Sequence, residues 1–117
     1  MHTGIDVPTA ARTPLVEIMV TEELDAASEP RVRALLEDAL TMHPEQLVVD
    51  LADCPFIDAT AIGMLLDIHR QVWTSGGRLT LRAPSPRVRR TLQIAHVNHV
   101  LRMVPEDDGH DMMTKTQ

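Results

Sequence analysis

Hydrophobic residues follow two patterns along this chain, short apolar runs and stripes with helical spacing. Four short runs are rich in apolar and β-branched residues, which is typical of β-strands. We predict strands at Leu15–Thr21, Gln46–Ala52, Arg78–Ala83 and Val100–Val104. The second run is nearly continuous and favours a strand buried on both faces, whereas the third alternates and favours a half-buried strand.

Between these runs, apolar residues recur every three or four positions, which predicts three amphipathic helices. Proline fits the first helical turn, a serine or aspartate caps a helix start, and glycine accepts the left-handed conformation at a helix end. These signals place the helices from Ser28–Pro30 to Pro44, from Asp58 to Gly76-Gly77, and from Ser85-Pro86 onward. The core-facing stripes are Val32, Leu35, Leu36, Ala39 and Leu40, then Ala61, Ile62, Leu65, Ile68, Val72 and Trp73 (widened by Met64 and Leu66), then Val88, Leu92 and Ala95.

Strands that alternate with helices imply βαβ units. We therefore predict an α/β fold, with a small mixed but largely parallel sheet of about four to five strands covered by three main helices. The domain is expected to span Leu15–Val104. Met1–Pro14 is predicted to be a flexible lead-in, with one short edge strand left open there, and Pro105–Gln117 a mobile polar tail.

Composition narrows the function classes. The 117 residues include one Trp, one Phe and no Tyr, which argues against a single-stranded nucleic-acid binder, and the net charge of −6 disfavours phosphate-backbone binding. One cysteine fits a reducing compartment. No apolar run has membrane-spanning length, and Met1–Ala11 lacks the apolar centre of a signal peptide. We expect a cytoplasmic protein that binds no nucleic acid and does not insert into membranes.

Charge is unevenly distributed along the chain. Met1–Asp58 holds twelve acidic residues against three arginines, whereas Arg78–Arg102 holds six arginines and no acid. Such a bipolar chain predicts a surface that steers protein partners. The alternative is that both segments are ordinary solvated faces.

Motifs for metal or nucleotide binding are weak. The five glycines form no phosphate-binding loop, and His96 and His99 have no neighbouring carboxylate or cysteine to complete a metal site. Cys54, between Asp53 and Pro55, is expected to be a small buried hydrophobic residue rather than a reactive thiol. No metal or cofactor is predicted.

The segment Phe56–Gly63 carries the most chemical information. It follows a buried strand and opens a helix, so Asp58 is placed to cap that helix and Thr60 lies in its first turn. Helix N-termini favour negative charge, including a phosphate group. Simple capping by Asp58 is the alternative, and spacing alone favours it.

Five motifs, in this order and spacing, resemble the STAS domain, which is named for sulfate transporters and anti-sigma factor antagonists. The resemblance runs from about Leu15 to Val104. The motifs are the acidic turn Glu22-Glu23-Leu24-Asp25, the strand Leu47–Ala52 leading to Phe56-Ile57-Asp58, the helix opening Ile62-Gly63, the turn Gly76-Gly77-Arg78-Leu79 and the final helix Ser85–Leu92. One departure is His96, which stands where a glycine commonly follows the last helix; histidine tolerates left-handed geometry comparatively well.

The resemblance implies a protein-binding module rather than an enzyme. Anti-sigma factor antagonists of this size act by partner switching, in which the unphosphorylated domain binds an anti-sigma factor, often a serine kinase of the histidine-kinase-like ATPase fold. The implied partner-binding residues are Asp25, Asp58, Ala59, Thr60, Ile62 and Gly63. Two alternatives stay open: an accessory subunit of a membrane lipid-transport ABC complex, and an enzyme or small-molecule binder, for which only Asp25 and Asp58 are candidates.

The motif departs from the family pattern at the phosphorylated position. The usual acceptor is a Ser or Thr directly after the aspartate, and here that residue is Ala59, which has no hydroxyl group. Thr60 is the remaining candidate acceptor, but one residue along a helix start turns the side chain by about 100°. The sequence therefore favours a module that is constitutive or differently controlled.

Overall fold

Four strands and three helices alternate along residues 12–105, the part of the chain that the computed structural model describes. The four strands form one sheet in the order β1-β2-β3-β4, and every neighbouring pair is parallel. This confirms the predicted α/β fold. The elements are β1 (Thr13–Met19), α1 (Glu29–Leu40), β2 (Pro44–Asp50), α2 (Ala59–Thr74), β3 (Arg78–Arg82), α3 (Pro86–Ile94) and β4 (Arg102–Val104).

The hydrophobic core lies against one face of the sheet. Parallel strands in register place side chains of one row on the same face. The rows Val16–Leu47–Leu79 and Ile18–Val49–Leu81–Met103 all belong to or pack against the core. Each helix connects a strand to the next strand of the sheet, always moving toward the same edge, and such parallel connections are right-handed. The three helices are therefore expected on this face of the sheet.

The opposite face of the sheet carries a charged cluster. Arg82 Nε donates to Asp50 Oδ2 at 3.0 Å, and Arg82 Nη1 donates to Glu17 Oε2 at 2.9 Å. The hydrogen bond to Glu17 raises the pKa of Arg82 above its ordinary value, burial opposes this, and Asp50 adds to the rise. The third predicted strand is less exposed than its alternation suggested, because Leu79, Thr80 and Leu81 are all buried in a strand with neighbours on both sides.

Pro44 begins β2 rather than ending the first helix. The helix stops at Leu40, and Pro44 is the first residue of the strand, a position where proline's missing N–H is tolerated. Likewise β1 begins at Thr13, because Thr13 pairs with Pro44, so the strand takes up the end of the predicted lead-in. The rest of that lead-in and nearly all of the predicted tail lie outside the described residues.

Three residues predicted to face the core are exposed instead. Leu35 lies at the edge of the stripe that Val32, Leu36 and Ala39 bury, and half of its surface is accessible. Trp73 is 58% exposed, since its neighbour Val72 takes the core-facing position at the end of α2. Ala95 is exposed because α3 ends at Ile94.

The turn after α2 requires both of its glycines, as predicted for a helix end. Gly76 has a φ of +92°, the left-handed conformation that favours glycine. A Cβ atom on Gly77 would lie 2.3 Å from the carbonyl oxygen of Pro44, so this glycine lets β3 start directly beside β2. After α3, His96 has a φ of +61°, as expected from its position.

Candidate functional site

Two loops at the carboxyl edge of the sheet meet and form the candidate site. One is the acidic turn between β1 and α1, and the other connects β2 to α2. They join as a short parallel bridge, in which Leu24 N donates to Phe56 O and Asp58 N donates to Leu24 O, both at 3.0 Å. Leu24 and Ile57 are buried and anchor the bridge in the core. The fold therefore brings Asp25 and Asp58, 33 positions apart in sequence, into one surface.

Asp58 connects the two loops through both of its carboxylate oxygens. Oδ1 accepts from Ala61 N at 3.0 Å, which confirms the predicted helix cap. Oδ2 accepts from Ala26 N at 3.1 Å, a contact with the acidic turn that spacing along the chain does not reveal. The same carboxylate that starts α2 therefore also fixes the position of the acidic turn beside it.

Asp25 organises the acidic turn itself. Its Oδ1 accepts from Ala27 N at 3.1 Å and from Ser28 N at 3.0 Å, and its carbonyl accepts from Glu29 N at 2.9 Å. The hydroxyl of Ser28 is buried and donates to Glu23 O at 2.7 Å, so Ser28 stands before α1 without capping it through its side chain. The sequence signal for this arrangement is an Asp three residues before a Ser, the spacing of a local side-chain turn.

The first turns of α2 expose only small side chains. Ala59, Thr60 and Gly63 are exposed, and a Cβ atom added to Gly63 would meet nothing within 4 Å. The hydroxyl of Thr60 forms no hydrogen bond with any part of residues 12–105. Ile62 lies in the core, with 8% of its surface accessible, so it holds the helix in place while its three exposed neighbours present the surface.

The acidic turn carries negative charge around a depression of its own. Glu22, Glu23 and Asp25 line an open depression of about 440 Å³, together with Arg31, which pairs with Glu22. At the other loop, the guanidinium of Arg87 lies 5.4 Å from the centre of the Phe56 ring, within the range of a cation–π contact. Sequence reasoning missed this pair, since nothing in the local pattern links α3 to Phe56.

Cys54 lies within the same connection as a buried residue. It is 1% exposed, and its Sγ donates to Phe56 O at 3.4 Å. Burial raises the pKa of the thiol, against smaller lowering by backbone hydrogen bonds. The expectation of a small buried residue is confirmed by this burial, and the raised pKa disfavours the thiolate that a reactive cysteine needs.

Within residues 12–105, no group of three or more His, Cys, Asp or Glu side chains is arranged to hold a metal ion. Over the same range, none of the helices combines the length and apolar character needed to cross a bilayer. Both carboxylates that were candidates for small-molecule chemistry, Asp25 and Asp58, accept backbone hydrogen bonds within the two loops.

Comparison with known proteins identifies a matching family model and solved structures of similar fold. The family model described as STAS domain matches residues 5–108. An anti-sigma factor antagonist from Mycobacterium paratuberculosis is similar in structure, with a TM-score of 0.74 and 18% identity over 86% of each chain. A sulfate transporter family protein from Wolinella succinogenes has a TM-score of 0.72 and 18% identity over 97% of each chain.

A third similar protein, the anti-sigma factor antagonist SpoIIAA, is known in two forms. The unphosphorylated form has a TM-score of 0.69 and 24% identity over 86% of this chain and 88% of that chain. The phosphorylated form, from Bacillus, has a TM-score of 0.60 and 19% identity over 92% and 94%. At these identities the likeness establishes a common fold.

Proposed function

Since this chain belongs to the STAS domain family, we propose that it is a protein-binding module of the anti-sigma factor antagonist type. Its partner is an anti-sigma factor that is itself a serine kinase of the histidine-kinase-like ATPase fold. Binding this partner frees a sigma factor, in the manner of partner switching. The protein acts by occupying a surface and catalyses no reaction.

One observation carries the proposal: α2 begins with exposed small residues on a frame that Asp58 fixes at two points. Ala59, Thr60 and Gly63 leave the helix backbone open to close approach, and Asp58 holds that helix start against the acidic turn. Glycine in an exposed helix interior costs about 1 kcal/mol relative to alanine. Among residues 12–105, no neighbouring atom requires a glycine at position 63, so close contact with a partner would account for it.

The absent hydroxyl at Ala59 points to a module that stays competent for binding in the presence of its kinase. A phosphate adds roughly −1.5 to −2 charge, which in a close contact next to acidic residues weakens binding through like-charge repulsion and the cost of desolvation. Ala59 cannot accept it. Thr60 is exposed and its hydroxyl is accessible, so it is the one residue of this surface at which control by a phosphate group remains open.

Intact mass spectrometry after incubation with an anti-sigma kinase and ATP tests this control. We expect the wild-type chain to keep its unmodified mass. A gain of one phosphate that is lost in Thr60→Val and kept in Thr91→Val would assign Thr60 as the acceptor and contradict constitutive binding. Thr91 is a suitable control because it also lies in a helix, α3, outside the proposed surface.

Binding itself is tested with the purified anti-sigma kinases of the same organism. The wild-type chain should form a stable complex with at least one of them, with and without ATP. If it binds none under either condition, the proposal fails. A complex that dissociates only with ATP would show that phosphorylation controls binding and would contradict constitutive binding.

A second candidate function uses the same fold at a membrane. The similarity to a sulfate transporter family protein supports it, since that protein covers 97% of this chain. The chain would then be an accessory subunit of a lipid-transport ABC complex and would dock on its ATPase component. Co-purification with such an ATPase, in the absence of any anti-sigma kinase complex, would favour this function.

A further inference from the structure

A second exposed feature lies at the end of α2 opposite to Thr60. Trp73 is the only tryptophan of the chain and is 58% exposed, and Val100, in the connection to β4, is 40% exposed. These two side chains and the stem of His69 line an open groove of about 320 Å³. Trp73 follows Thr60 by 13 positions on one helix. At about 1.5 Å per position, the groove lies about 20 Å from the proposed anti-sigma surface.

Basic side chains surround this groove. Arg70 lines the groove itself, and Arg78 and Arg102, the first residues of β3 and β4, line an adjoining smaller cleft that shares Trp73 and Val100 with it. The Arg78 guanidinium is 5.5 Å from the centre of the Trp73 ring, and the His69 ring is 6.2 Å from it at an angle of 35°. Arg70 pairs with Asp67 at 3.4 Å, but within residues 12–105 no acid forms an ion pair with Arg78 or Arg102.

The groove combines features that are typical of a contact surface. Trp and Arg are among the residues most enriched where binding energy is concentrated. An exposed Trp side chain leaves its apolar surface in contact with water until a partner covers it. The groove that Trp73 and Val100 line is largely apolar, which suits an aliphatic or thioether side chain. The positive charge of Arg78 and Arg102 beside it favours acidic flanking residues.

We propose that this groove docks an acidic peptide segment of a protein partner, with one apolar side chain beside Trp73 and carboxylates on Arg78 and Arg102. The chain would then hold two partners at once, one at each end of α2. This proposal is independent of the anti-sigma function, because it uses none of the residues around Asp58.

Fluorescence gives a direct test, because a chain with one Trp and no Tyr reports its emission from this groove alone. The probe is a capped hexapeptide in which Leu-Met is flanked on each side by two acidic residues, and the control peptide has the corresponding amides. We expect saturable change in Trp73 emission with the acidic peptide, and at least about tenfold weaker binding of the amide peptide.

Two double variants locate the contact. Arg78→Gln with Arg102→Gln should weaken binding of the acidic peptide at least about tenfold, because it removes the two positive charges that the carboxylates are proposed to contact. Arg89→Gln with Arg90→Gln removes the same charge from α3, outside the groove, and should change binding by less than about twofold. All four arginines are at least partly accessible, so the fold should tolerate both changes.

Three results would overturn the proposal: no saturable change, equal binding of the amide peptide, or equal weakening by both double variants. Emission that depends on protein concentration without peptide, together with a dimer in sedimentation, would show that a second copy of the chain covers Trp73 and would also overturn it.

Discussion

Single carboxylates determine the geometry of the proposed binding surface. Asp58 caps α2 and accepts from Ala26 N across the gap between the loops, and Asp25 holds the turn on the other side. Sequence reasoning located both residues and the capping role of Asp58. It could not find Ala26, since a backbone N–H leaves no mark in the residue pattern and the contact spans 32 positions.

Comparing Asp58→Ala with the loss of an ordinary helix cap measures what the second hydrogen bond of Asp58 contributes to stability. Asp58→Ala should lower the free energy of unfolding by about 2 kcal/mol, because it removes a cap and a second hydrogen bond. Ser85→Ala removes only a cap, the acceptance from Val88 N at 3.1 Å, and should cost about 1 kcal/mol. Urea unfolding measures both; an Asp58→Ala variant no less stable than Ser85→Ala would show that the bond to Ala26 contributes nothing.

At the scale of elements, periodicity predicted the order of strands and helices, while the exact ends depended on partners distant in sequence. Pro44 looked like a helix terminator and instead starts β2, because the register with Thr13 fixes where that strand begins. Val100 was expected in β4, but its N–H donates to Val97 O in a turn, so the strand starts at Arg102. Trp73 and Leu35 fit the helical stripes as well as their buried neighbours do. Only the packing of the folded chain determines which of these side chains are buried.

Two glycines should respond to alanine in opposite directions. Gly77→Ala places a Cβ atom against the carbonyl of Pro44 and should lower the free energy of unfolding by more than about 2 kcal/mol. Gly63→Ala meets open space in an exposed helix and should raise it by about 0.5–1 kcal/mol. Denaturant titration distinguishes them, and a loss of stability in Gly63→Ala would mean that this glycine serves the fold rather than a partner.

In the folded molecule, acidic residues and arginines that are separated along the chain lie on two separate surfaces. Glu22, Glu23 and Asp25 lie in the turn that Asp58 joins to the start of α2, and Arg78 and Arg102 line a cleft with Trp73 near its end. The STAS motifs predicted the fold because they are local and ordered along the chain, and the binding surface that they imply at the start of α2 stays a prediction. The second surface was not predicted, since Trp73 was assigned to the core. Whether the segregated charge steers partners stays a prediction.

The affinity of the anti-sigma kinase for two charge variants, measured by titration calorimetry, tests the proposed binding surface at the start of α2. Ala59→Glu and Ala34→Glu make the same change at exposed helical alanines, one on the proposed surface and one on α1. An acid in the first turn of α2 suits the helix dipole, so Ala59→Glu should stay folded. It should bind the kinase at least about tenfold more weakly than the wild-type chain, with Ala34→Glu within about twofold. Equal affinity of both variants would contradict a binding surface at the start of α2.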